Sequence, residues 1–180
     1  IGAEPLPAKR TCSRPSPRRT FLRITPESSG TLRRKASRPG GILTGTDSHT
    51  TNAGALGALG VAIGPTESIG ILITGEVWLR VPETIQIIFR GKSPESIWGK
   101  DLTLLALKDI GVDGGNYKVL QFEGEAITAL EVEDRMTLSN MAAEFAAKSA
   151  IMEVDDKTKA YLREAGVDED WEAFTSDSDA

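Results

Sequence analysis

Asp47-Ser48-His49 is the densest group of reactive side chains in the sequence, and it holds the one histidine. Imidazole titrates near neutral pH without help from its surroundings, so this histidine can move protons under physiological conditions. On an extended chain Asp47 and His49 project to one side and Ser48 to the other. That geometry disfavours a serine hydrolase, because nucleophile and base point apart. It suits Asp47 and His49 orienting proton transfers while Ser48 binds a substrate oxygen. A structural reading stays open: Asp47 and Ser48 would cap a following helix, and His49 would be a satisfied structural residue. A second candidate pair, Asn140 and Glu144, lies four residues apart in a predicted helix over 134–149 and so shares a face. Glu144 sits among Ala142, Ala143, Phe145, Ala146 and Ala147. If buried there, its carboxylate must be paired or functional. If exposed, Lys148 at i+4 is an ordinary surface partner. A zinc or iron–sulfur site made by this chain alone is disfavoured, because Cys12 and His49 are its only soft ligands. The single cysteine also excludes a disulfide scaffold.

The elements that would position these residues read as an α/β pattern from Gly40 onward. A short apolar run at 41–45 predicts a strand leading into Asp47. Residues 53–64 are small and apolar, with glycines at 54, 57, 60 and 64. On a helix these would form a smooth stripe for close backbone approach, at the cost of poor helix propensity. The spacing is Gly-x-x-Gly-x-x-Gly, which is not the dinucleotide fingerprint. Helices are predicted at 66–79, 100–110, 134–149 and 156–165, and a short helix or turn at 125–130. Strands are predicted at 84–90, 117–123 and 151–152, with a turn at 112–116.

The 180 residues carry a net charge of −5, and 39% of them are hydrophobic, enough for a sizeable core. No apolar run approaches the ~20 residues of a membrane span. The charge is unevenly spread: residues 1–38 carry +8 and the remainder −13. The basic segment is rich in Arg, Ser and Pro and poor in large apolar groups, so it is expected to be disordered. Three accounts of it compete: an organelle transit peptide, a nucleic-acid-binding arm, or sequence foreign to the protein. No aromatic residues alternate with its arginines, which weakens the nucleic-acid account.

Five separated stretches resemble the aconitase superfamily, most of all its branch of isopropylmalate dehydratase large subunits and homoaconitases. The longest is Gly45-Thr-Asp-Ser-His-Thr-Thr-Asn-Ala-Gly-Ala-Leu-Gly-Ala-Leu-Gly-Val-Ala-Ile-Gly64. It is followed in order by Gly75–Ile85, Gly111–Gly115, Phe122–Ala126 and Arg135–Met141. The resemblance runs from about Arg38 to Ala180. It implies a cytoplasmic hydro-lyase that shifts a hydroxyl between adjacent carbons of a di- or tricarboxylic acid. It also implies a 4Fe–4S cluster acting as Lewis acid, and a small-subunit partner. By position, Asp47 and His49 resemble the family's acid/base and hydrogen-bonding residues, and Ser48 a substrate-contacting hydroxyl. Asn140 resembles a residue beside the cluster, and Glu144 the carboxylate that pairs with the histidine.

Two departures accompany the resemblance. The cysteines that hold the family's cluster have no counterpart here, and Ser139 stands where the family usually has Cys, with little effect expected. The reading is therefore a disordered or foreign leader over 1–37 and a partial aconitase-type α/β/α domain over 38–180. This would be a fragment of the large subunit, inactive by itself, that takes a hydroxy-acid substrate and binds neither nucleic acid nor membrane. Homoaconitate or dimethylmalate hydration, or a non-catalytic interaction module, are the alternatives.

Overall fold

The computed structural model describes residues 19–23, 38–167 and Trp171. The strands among them are β1 (Arg19–Arg23), β2 (Ile42–Gly45), β3 (Leu59–Ala62), β4 (Glu76–Arg80), β5 (Thr84–Ile88), β6 (Val119–Glu123) and β7 (Ser149–Met152). The α-helices are α1 (Pro65–Thr74), α2 (Gly99–Ile110), α3 (Glu125–Ala129), α4 (Val132–Asn140) and α5 (Asp156–Glu164). Two 3-10 helices complete the set, η1 (Ser48–Leu56) and η2 (Met141–Phe145).

β5, β6 and β7 form a parallel sheet, and β2 pairs with β3 in parallel, with η1 as the crossover between them. Parallel neighbours need such a crossover, so the Asp47 segment is built into a strand–helix–strand unit. β1 pairs antiparallel with β4, from Arg19 opposite Arg80 to Arg23 opposite Glu76. These five residues belong to the segment expected to be disordered, and they form a strand; the rest of 1–37 lies outside the described residues. Fully buried Leu120, Phe122, Leu138, Phe145 and Met152 anchor the main core, which joins the three-stranded sheet to α2, α4 and η2.

The α/β class follows the sequence pattern, but three predicted helices are shorter than expected. The glycine-rich run 53–64 is not one helix. Gly57, at φ 75°, ends η1, and residues from Leu59 pair with β2 instead. The helix predicted to 79 stops at Gly75 (φ 70°), and Glu76–Arg80 becomes β4. The helix predicted over 134–149 divides into α4 and η2, and Ala146 at φ 56° turns the chain toward β7. In each case strand pairing outweighs local helix propensity.

Close backbone approach does occur at Gly54, though in η1 rather than along a helical stripe. A Cβ there would overlap the carbonyl oxygen of Ala150 and crowd Ser139 Oγ. Gly54→Ala is therefore expected to cost about 2–3 kcal/mol through overpacking, read as a lowered urea midpoint. An unchanged midpoint would mean that η1 does not press on β7.

α4 is clamped to α5 by one buried side chain. Arg135 donates from Nη2 to Asp155 Oδ2 (2.5 Å) and to the Thr128 carbonyl (3.0 Å), and from Nη1 to Thr158 Oγ1 (3.2 Å). Asp155 also caps α5, accepting from the Thr158 N–H at 3.0 Å.

Candidate active site

β2 ends at Gly45, and Asp47 is the N-cap of η1, with an extended backbone (φ −102°, ψ 135°). Its Oδ1 accepts the His49 backbone N–H at 2.8 Å, and its carbonyl accepts Thr50 Oγ1 at 2.6 Å. The capping role is thus real. The same carboxylate also lies 3.3 Å from His49 Nδ1, so Asp47 caps η1 and meets the imidazole at once. A proton on Nδ1 shared with Asp47 leaves Nε2 as the basic nitrogen. His49 and Asp47 side chains are 62% and 47% exposed, so this pair is open to a ligand. The two residues meet because the chain turns into η1 after Asp47, not because an extended strand alternates.

Ser48 occupies a different position. It lines a cavity of about 320 Å³ together with Thr51, Asn116, Tyr117 and Lys148, over a wall of alanines. No hydrogen bond links Ser48 to His49 among the described residues.

Asn140 ends α4, half-buried, and its carbonyl accepts from Thr51 Oγ1 at 3.4 Å. The contact ties the second candidate pair to η1. Ser139 reinforces it: its buried hydroxyl lies 2.5 Å from the Thr51 carbonyl and 3.0 Å from that of Ala150, and donates between them. A hydroxyl thus joins η1, α4 and β7 at the position expected to matter little. Glu144 lies on η2, exposed, with no ion pair or hydrogen bond among the described residues. The structure therefore brings Asp47, His49 and Ser48 onto one segment and packs Asn140 against it. It does not join Glu144 to His49. Nor does Glu144 pair with Lys148, because the left-handed turn at Ala146 removes the i+4 relation.

Lys148, Tyr117 and Asn116 line this cavity without belonging to any motif of the sequence. Tyr117 and Lys148 come together only through the packing of two loops, and no local spacing signals that.

The family model for aconitases (aconitate hydratase) matches residues 23–179. The chain belongs to the aconitase family. The match opens at residue 23, inside the segment read as a leader. Within the family it is similar to the large subunits of 3-isopropylmalate dehydratases. With large subunit 1 of Thermotoga maritima it shares 42% identity over 149 residues, 83% of this chain and 36% of that one. With the large subunit of Campylobacter concisus it shares 44% over 142 residues, 79% of this chain and 34% of the other. With large subunit 1 of Pyrococcus abyssi the identity is 46% over 142 residues, 79% and 33% of the two chains. The chain thus spans about a third of the length of the curated relatives it matches.

The cluster that the family implies does not fit the donors present. Among the described residues no group of three or more His, Cys, Asp or Glu side chains could hold a metal ion. Cys12 lies outside them. No described helix is long and apolar enough to cross a membrane.

Proposed function

We propose that this chain works as a segment of a cytoplasmic hydro-lyase large subunit that interconverts 2-isopropylmalate and 3-isopropylmalate, a step of leucine biosynthesis. The observation that carries the reading is the Asp47–His49 contact at the mouth of η1, beside the Ser48 cavity, in a chain of this family. Dehydration removes a proton from the carbon next to a carboxylate and releases the neighbouring hydroxyl as water. His49 holds or delivers protons at Nε2, Asp47 fixes its ring, and Ser48 donates to a substrate oxygen. The family resemblance gives Glu144 the role of His49's carboxylate partner, although the two are not in contact here, and it places Asn140 at the cluster side. The residues here cannot hold the 4Fe–4S cluster, so its cysteines belong to another part of the subunit, and no step here is routed through it. A small subunit completes the substrate site.

The test is a transplant. Residues 38–167 replace the matching stretch of the Thermotoga maritima large subunit, and the holoenzyme is offered 2-isopropylmalate, homoaconitate and dimethylmalate. A preference for 2-isopropylmalate is expected. A preference for either other acid overturns the substrate assignment.

A further inference from the structure

Two loops contribute Asn116, Tyr117 and Lys148 to the lining of the Ser48 cavity. The Gly115 N–H donates to the Phe145 carbonyl (3.0 Å), Tyr117 N–H to Ala146 (3.2 Å), and Lys148 N–H to Lys118 (2.8 Å). This ladder holds the residues before β6 against those before β7. Tyr117 and Ala146 both have φ 56°, and they are the positive-φ non-glycine residues of the described chain. Such conformations are costly for residues with a Cβ, and they gather at ligand sites, where the surroundings enforce them. Here the two are bonded to each other across the cavity wall.

The turn at Ala146 carries Lys148 out of helical register and toward the cavity, with Nζ 5.3 Å from the centroid of the Tyr117 ring. Arg80 of β4 reaches the same ring, its guanidinium carbon 4.5 Å from the centroid. Neither cation is in an ion pair among the described residues. Two positive charges therefore converge on one aromatic ring, and among the described residues no carboxylate pairs with either. Lys148 shares the cavity with the Ser48 and Thr51 hydroxyls, the Asn116 amide and the alanine wall, whereas Arg80 does not line it. A low-polarity wall strengthens the pull of a cation on an anion.

We propose that Lys148, positioned by Tyr117, binds a carboxylate of the diacid substrate in the Ser48 cavity. Arg80, outside the cavity, adds positive potential at the same ring, and Ser48 and Asn116 donate to the carboxylate oxygens. The proposal deepens the hydro-lyase reading and rests on it for the identity of the ligand. The cavity itself lies wholly within this chain.

The experiment titrates the full 180-residue chain with 2-isopropylmalate, following backbone amide signals by NMR. Saturable shifts at Ser48, Asn116, Tyr117 and Lys148 are expected. Lys148→Met should weaken binding about tenfold or more, and Lys148→Arg should stay within about threefold of the parent, if one charged contact is lost and then restored. The dimethyl ester should not bind. No binding by the parent chain, or equal binding by Lys148→Met with its fold intact, overturns the proposal. Equal affinity for inorganic phosphate would make the cavity a general anion site and overturn the diacid assignment. The transplanted holoenzyme separates this failure from that of the parent reading. There Lys148→Met should raise KM about tenfold with kcat little changed. An inactive transplant with carboxylate binding intact in the chain would remove the hydro-lyase reading and leave the site. An active transplant whose KM ignores Lys148 would do the reverse.

Discussion

His49→Ala in the transplanted holoenzyme lowers kcat by about 10²-fold or more, the range expected when a positioned acid or base is removed. The loss should fall on kcat, because the proposed role of His49 is to move a proton, whereas the carboxylate contacts are proposed for the neighbouring cavity. Asp47→Asn should give a smaller loss, since the amide can still accept the His49 N–H and cap η1 while no longer favouring a proton on Nδ1. Steady-state rates and unfolding midpoints measured together separate chemistry from stability. Near-normal turnover in His49→Ala would remove this residue from the acid/base apparatus, whatever the fate of Ser48.

The second large effect is on stability. Arg135→Ala should destabilise the chain by about 3–5 kcal/mol, as expected when one partner of a buried ion pair is removed. Arg135 is fully buried, its side chain 2% exposed, and it links α4, α5 and the end of α3 through three acceptors. Without it, Asp155 Oδ2 and the Thr128 carbonyl lose the guanidinium as donor, while Asp155 Oδ1 keeps its Thr158 hydrogen bonds. Urea unfolding measures the change; a loss under about 1 kcal/mol would mean that the clamp is not what holds α4 to α5.

The same pair predicts a pH dependence. Burial pushes the Asp155 carboxyl upward. The Arg135 and Thr158 hydrogen bonds and the nearby guanidinium charge outweigh it, leaving the group below the usual carboxylate range. A depressed folded pKa means that the unfolded chain binds more protons as the pH falls. The contribution is therefore fully present above the ordinary carboxylate value, about 3.9. It is lost as pH drops through the lower folded value. The stability gap between the parent and Arg135→Ala should accordingly narrow in acid and stay constant from about pH 5 to 7.

The parts of this fold that were legible in the sequence are those where local pattern and tertiary pairing agree. Gly99–Ile110 carries its apolar residues at helical spacing and stops at Gly111; Thr84–Ile88 is β-branched and bounded by breakers. The Asp47 cap was legible too, because Asp before a turn of small residues is a strong helix start. The failures lie where tertiary contacts decide. Met141–Lys148 has the composition of a helix, yet Ala146 adopts a left-handed conformation so that Lys148 can join the ladder beside Lys118. Leu59–Ala62 is short and glycine-bearing and becomes a strand only because β2 lies beside it. Tyr117 shows the same limit at the site. A tyrosine at positive φ carries no local signal, and its two cations arrive from β4 and from the loop before β7. The catalytic candidates were visible as types and spacing, whereas the cavity beside them exists only in the packed chain.

Asp47, Ser48, His49 and the α4–η2 segment are proposed to form one wall of an isopropylmalate hydro-lyase site. The most direct measurement is the rate at which the transplanted large subunit, reconstituted anaerobically with iron and sulfide and joined to its small subunit, converts 2-isopropylmalate to 3-isopropylmalate. The account predicts a rate within about tenfold of the parent enzyme, since a tenfold loss is only ~1.4 kcal/mol of transition-state stabilisation. A folded transplant with full iron content and a rate lower by about 10³-fold or more would contradict it, because the wall supplied here would then lack the acid/base function assigned to it.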